Sequence, residues 1–122
     1  MCAKPISEAD GGWVRVCRID ALAGLAMLPV FVAGRHLLLV QESGRLFAIE
    51  RACPHEGADL ALGRCAKGRL LCPRHLAWFD LDTGSVSPGW DFRDLRTYPV
   101  RPLGDDVCIW IEGARASIRP QC

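Results

Sequence analysis

The chain lacks a long hydrophobic run, an excess of one charge and a helical repeat, and each lack narrows what it can be. Its most apolar stretch, Ala21 to Gly34, is too short to span a bilayer and is interrupted by Pro29. No membrane span is therefore expected. The start, Met1-Cys2-Ala3-Lys4-Pro5, has no charged-then-apolar layout of a secretory leader, and no twin arginine occurs. Fifteen basic and fourteen acidic residues nearly cancel. With no basic stripe interleaved with aromatics, nucleic acid is not an expected partner. No stretch sustains a 3.6-residue apolar period over three turns, which argues against helices. Histidine is scarce as well, with three in the chain.

What is present is cysteine. Seven of them, Cys2, Cys17, Cys53, Cys65, Cys72, Cys108 and Cys122, make an odd count with no regular disulfide framework. Together with the missing leader, this reads as a protein of the reducing cytoplasm, whose thiols bind metal or stay reduced. Cys17, Cys65 and Cys108 are expected to be packed or inert thiols, and Cys2 and Cys122 to be exposed near the termini.

The 122 residues fit one domain, spanning 1–122. Residues 1–12 are polar and read as a loose N-terminus. Trp13 to Arg18 alternates apolar and polar and reads as a strand. Met27 to Ala33, a tight turn at Gly34-Arg35, and His36 to Glu42 follow. Ser43-Gly44 then turns the chain into Leu46 to Glu50, which completes an antiparallel meander. Asp20 to Gly24 reads as one helical turn or a loop. Arg69 to Cys72 and Trp78 to Leu81 are short strands, followed by a turn at Asp82-Thr83-Gly84. Arg96 to Val100 and Val107 to Glu112 close the fold about Gly104-Asp105-Asp106, and a polar tail follows Gly113. The fold class is all-β.

Within this frame, Cys53-Pro54-His55 and Cys72-Pro73-Arg74-His75 form a four-ligand set divided between two loops, at about 51–62 and 70–79. Thiolates suit iron–sulfur chemistry because they are soft donors. Pro54 and Pro73 stiffen the loops, and Gly57 and Gly63 permit positive φ or a close backbone approach. Zinc is the alternative for any such Cys/His quartet. Zinc knuckles, however, use paired cysteines at short spacing, and zinc fingers place both histidines on a helix. Neither arrangement occurs here.

The motif resembles that of the Rieske [2Fe–2S] proteins, as do the Phe79-Asp80 … Thr83-Gly84 turn, the loop at Ser87-Pro88-Gly89 and Tyr98-Pro99-Val100. The resemblance implies an antiparallel Rieske (iron–sulfur-protein-like) fold with a small cluster-binding subdomain. It implies a Rieske-type [2Fe–2S] cofactor held by Cys53, His55, Cys72 and His75, the cysteines on an inner iron and the histidines on an outer one. Pro88 would lie in a third loop covering the cluster.

Departures from the family pattern refine the expectation. The positions of the loop-to-loop disulfide of respiratory Rieske proteins are Ala58 and Arg74, and the positions of two hydroxyl donors are Ala77 and Phe79. Fewer donors leave the reduced state less stabilised, so a potential below zero is expected. With two histidines in the motif, only His36 remains, too few for the mononuclear iron site of a ring oxygenase. The resemblance therefore implies not an enzyme but an electron-transfer component: a one-electron carrier between a flavin-dependent ferredoxin reductase and a terminal oxygenase. His75-Leu76-Ala77-Trp78-Phe79 leans toward the multicomponent aromatic monooxygenase ferredoxins through Leu76. The alternatives are the Rieske-like small subunit of a nitrite reductase and a zinc-binding interaction module. Trp78 and Trp90 flank the ligand region, where one could help form a docking surface or both could fill the core; Trp78 is expected in the core, and Trp90, after the proline loop, is left open between the two. Arg51, Glu56, Asp59 and Arg74 surround the motif with mixed sign, and His36 is expected at the surface.

Overall fold

The computed structural model describes residues 11–54, 57–74 and 77–112. Ten strands run through them: β1 Gly11–Arg18, β2 Met27–Val32, β3 Arg35–Glu42, β4 Arg45–Glu50, β5 Arg64–Ala66, β6 Arg69–Leu71, β7 Trp78–Asp80, β8 Thr97–Tyr98, β9 Val100–Leu103 and β10 Asp106–Glu112. They form three sheets, ordered β1-β10-β9, β2-β3-β4-β8 and β5-β6-β7. Every pairing between these strands is antiparallel. The only helical elements among the described residues are short 3-10 turns at Ile19–Leu22 and Leu60–Leu62. No described helix is long and apolar enough to cross a membrane.

The middle sheet explains the run Leu37-Leu38-Leu39-Val40, which lacks the usual alternation. Leu37 and Leu39 face one core with Val32, Ala48, Val107, Ile109 and Ile111. Leu38 and Val40 face the other, with Phe47, Ile49, Leu60, Leu70, Phe79, Leu81 and Leu95. A strand covered on both faces needs apolar residues at successive positions, so β3 carries no polar face over this stretch. The second core joins the middle sheet to the small β5-β6-β7 sheet, and Cys53 and Cys72 lie in it.

Several features depart from the expected elements. β1 begins at Gly11, inside the stretch 1–12 expected to be loose, with Gly11 and Gly12 paired to Glu112 and Ile111, and β5 is a strand beyond those expected. The hairpin between β2 and β3 turns at Ala33-Gly34, one residue earlier than Gly34-Arg35, with Val32 paired to Arg35. The closing run is also not one strand. Thr97 and Tyr98 pair with β4, whereas Val100 to Leu103 pair with β10, so the chain changes sheets at Pro99. Proline has no N–H for a ladder, and here its carbonyl accepts from Trp110 instead (2.9 Å).

Cys17 and Cys65 are half-buried thiols, as expected. Cys108 is buried on β10, as its packing reading expects, but is disulfide-bonded, which corrects the reading as a thiol. Cys2 and Cys122, residues 1–10 of the polar stretch 1–12 and the tail from Gly113 lie outside the described residues.

Candidate metal centre

Two loops of the same construction hold the cysteines. The first leaves β4 and runs from Cys53 to Ala58; the second joins β6 to β7 and runs from Cys72 to Ala77. In the first, the Cys53 N–H donates to the Ala58 carbonyl (2.8 Å); in the second, the Cys72 N–H donates to the Ala77 carbonyl (2.8 Å). Each loop is also closed at its base by strand pairing, through the Ala52–Asp59 bridge in one and Leu71 opposite Trp78 in the other. The shared pattern Cys-Pro-x-x-x-Ala thus ends in the same closure in both loops, with a small residue where the closing carbonyl meets the core. Ala58 and Ala77 are both buried, and Cys53 and Cys72 are 2% and 0% exposed.

Packing fixes the two loops against each other. A Cβ on Gly63 would lie 2.1 Å from the Leu71 carbonyl oxygen, so the chain leaving the first loop passes over the residue before Cys72 too closely for any side chain. Gly57 meets the other half of the expectation, with φ of 76° and its N–H donating to the Cys53 carbonyl (2.8 Å).

Ionic contacts fasten the surround. Arg51 grips Asp59 with two bonds of 2.9 Å, and the same carboxylate accepts from the Ala61 N–H (3.0 Å), capping the 3-10 turn. The guanidinium beside Asp59 holds its carboxyl below the usual range. Glu50 binds Arg93 through both oxygens (2.6 and 2.8 Å) and accepts the Arg96 N–H (2.8 Å), which anchors the end of the Ser87-Pro88 loop to β4. The start of that loop is fixed by Ser87, whose N–H donates to the Trp78 carbonyl (2.8 Å) and whose hydroxyl accepts the Trp78 N–H (3.1 Å). Phe92 fills the space beneath, with its ring 6.1 Å from Phe79 and 5.7 Å from Trp90. Sequence reasoning placed the proline loop but not these anchors. Ser87, buried between half-buried Val86 and exposed Pro88, carries no local signal of its role.

Of the expected ligands, Cys53 and Cys72 come together in one apolar cluster, and neither is disulfide-bonded. His55 and His75, like Glu56 and Leu76, lie outside the described residues. Among those residues no group of three or more metal-binding side chains occurs. Two buried thiols on matched loops fit a cofactor that takes soft donors in an apolar pocket. Ala77 and Phe79 are fully buried and bring no hydroxyl to it, and Arg74 is exposed. Trp78 departs from its expected core position. It is half-buried on the outer face of β7, with the Arg69 guanidinium 3.9 Å from its ring centre. His36 is exposed, its ring tilted against that of Phe31 at 4.6 Å.

The Rieske [2Fe–2S] domain family matches residues 12–99, which include both loops and the Ser87-Pro88 segment. The chain belongs to the Rieske [2Fe–2S] family. Its cofactor is accordingly a Rieske-type [2Fe–2S] cluster. The chain is 37% identical to apoptosis-inducing factor 3 of Mus musculus over 77% of its own length, but spans only 16% of that protein. It is 33% identical to the ferredoxin component of the alkene monooxygenase system of Xanthobacter autotrophicus, covering 90% of each. Among solved structures, the ferredoxin of carbazole 1,9a-dioxygenase from Nocardioides aromaticivorans superimposes with a TM-score of 0.71 at 26% identity. That match covers 80% of this chain and 95% of the other. The antiparallel all-β Rieske fold is therefore shared with oxygenase ferredoxins.

Proposed function

We propose that this chain is a single Rieske domain that carries one electron at a time from a flavin-dependent ferredoxin reductase to a terminal oxygenase. Cys53, His55, Cys72 and His75 are the proposed ligands. The observation that carries the reading is the pair of matched loops, each burying a thiol in the same apolar cluster. When bound, a Rieske cluster accepts and releases one electron at a potential set by its ligands and the donors around it. The chain's own contribution is a rigid cage. Hairpin closures, the Gly63–Leu71 approach and the Arg51–Asp59 and Glu50–Arg93 pairs hold both loops, so little rearrangement accompanies a change of charge. Buried Cys53 and Cys72 suit the inner iron, and the histidines the outer one.

The surroundings favour a low potential, below zero. Ala77 and Phe79 offer no hydroxyl, and the N–H groups of both cysteines are already given to alanine carbonyls, leaving fewer donors to favour the reduced state. Likeness over 90% of the alkene monooxygenase ferredoxin component and 95% of the carbazole dioxygenase ferredoxin supports the carrier role and the oxygenase partner. The cytoplasm is the proposed compartment.

Iron and sulfide analysis together with single-turnover reoxidation tests the reading. The purified protein should hold two irons and two sulfides, and its reduced form should be reoxidised by a candidate oxygenase within one turnover. His75→Ala should lose or badly destabilise the cluster, because metal binding and folding are coupled. A colourless protein with stoichiometric zinc would overturn the proposal.

A further inference from the structure

The small sheet has an outer face built differently from the rest of the surface. Cross-strand pairs place Arg64, Leu71 and Trp78 side by side on it, with Ala66, Arg69 and Asp80 in the next row. The opposite face, Cys65, Leu70 and Phe79, turns into the core. A shallow concavity of about 470 Å³ on the outer side is lined by Arg64, Lys67, Arg69 and Trp78 among others, with no carboxylate in its lining.

The charge there is unbalanced. Elsewhere five arginines are matched to acids, Arg15 to Asp106, Arg18 to Asp20, Arg45 to Asp82, Arg51 to Asp59 and Arg93 to Glu50; Arg35 and Arg96 line a concavity that also holds Glu50 and Glu112, and Arg101 lies over the Trp13 ring. Arg64, Lys67 and Arg69 have no ion-pair partner among the described residues, and all three are exposed. The two acids nearby are committed to backbone: Asp80 accepts from the Asp82 and Thr83 N–H groups, and Glu42 from that of Gly68. Arg69 is held over Trp78, so one cation and one large ring are already oriented. Three cations are too few and too local for a nucleic-acid track. They suit a small acidic patch on a protein, the pairing that speeds encounter between charged partners.

We propose that Arg64, Lys67, Arg69 and Trp78 form a docking face for an acidic patch on the protein that exchanges electrons with this chain. The proposal rests on the carrier reading, and the position of the face supports it. Leu71 directly precedes Cys72 and Trp78 directly follows Ala77, so both ends of the second loop emerge on this face. A partner seated there lies against the loop that carries Cys72.

Stopped-flow oxidation of the reduced holoprotein tests this, with native (basic) and succinylated (acidic) cytochrome c as protein probes. The wild type should oxidise faster with the acidic probe, at a rate that falls with salt. R64E/K67E/R69E should slow that reaction by about tenfold or more at low ionic strength and reverse the preference between the probes. R64E/K67E, which keeps the Arg69–Trp78 stack, should show a smaller change of the same sign. The visible and EPR spectra and the midpoint potential should be unchanged in both variants. Rates within twofold of wild type, with the cluster intact, would overturn the docking face and leave the carrier reading standing. Absence of a reducible cluster in the wild type would overturn both.

Discussion

At the scale of single residues, Cys65 and Asp59 show how position sets chemistry. Burial on the inner face of β5, with the Glu42 carboxylate adding to it, pushes the Cys65 thiol up to about 11. At pH 8 only about one molecule in a thousand carries its thiolate, so Cys65 should alkylate far more slowly than an ordinary thiol of pKa about 8.5. Peptide mapping after iodoacetamide treatment of the holoprotein checks this; labelling at the rate of a model thiol would contradict it. Asp59 is the converse case. Its folded pKa is lowered by Arg51 and by the Ala61 N–H, so its contribution is present above the unfolded value and lost as pH falls through the folded one. Its side chain is about a third exposed, which limits the ion pair to about 0.2–1 kcal/mol, and the cap adds about 1 kcal/mol. Asp59→Ala should lower the melting temperature at pH 7, and the gap to wild type should close toward pH 3. A gap that is constant with pH would assign the loss to packing.

At the scale of elements, the two cysteine loops were legible because their signal is local. Cys-Pro and His recur within a few residues, and the closing alanines follow at the same spacing in each. β5 was not legible, since Arg64-Cys65-Ala66 is too short and too polar to alternate visibly, and its partner is defined by the Lys67-Gly68 turn. The break at Pro99 was hidden for another reason: which sheet each half joins depends on strands distant in sequence. The Glu50–Arg93 anchor, between residues 43 apart, has no sequence signature. Gly63 is where the loops are most tightly coupled. Gly63→Ala would drive a methyl into the Leu71 carbonyl, so the strand before Cys72 must shift, costing about 1–3 kcal/mol. Thermal unfolding and the ratio of visible to protein absorbance measure it. An unchanged melting temperature with full cluster content would mean that the loops do not constrain each other.

The same scale holds the control of potential. Ala77→Ser would place a hydroxyl beside the Cys72 loop at a buried site. A hydrogen bond stronger by about 1 kcal/mol in the reduced state corresponds to about 40 mV for one electron, so the midpoint should rise by that order. A shift to lower potential would show that the hydroxyl points elsewhere.

At the scale of the whole molecule, the middle sheet with both faces buried is the frame. One core joins it to β1-β10-β9, and the other joins it to the small sheet and closes over Cys53 and Cys72. Cluster and fold therefore share one core, so removal of the iron should destabilise the small sheet before the frame. Hydrogen exchange of the apoprotein should show faster exchange in β5, β6 and β7 than in β3 and β10; uniform exchange would contradict this division. The central claim is that these loops hold a low-potential one-electron centre, and an EPR-monitored redox titration of the purified protein tests it most directly. The account predicts that reduction brings up the signal of a single histidine-ligated [2Fe–2S] centre, with a one-electron midpoint below zero. A midpoint well above zero would contradict the low potential, and a protein silent at every potential would contradict the electron carrier itself.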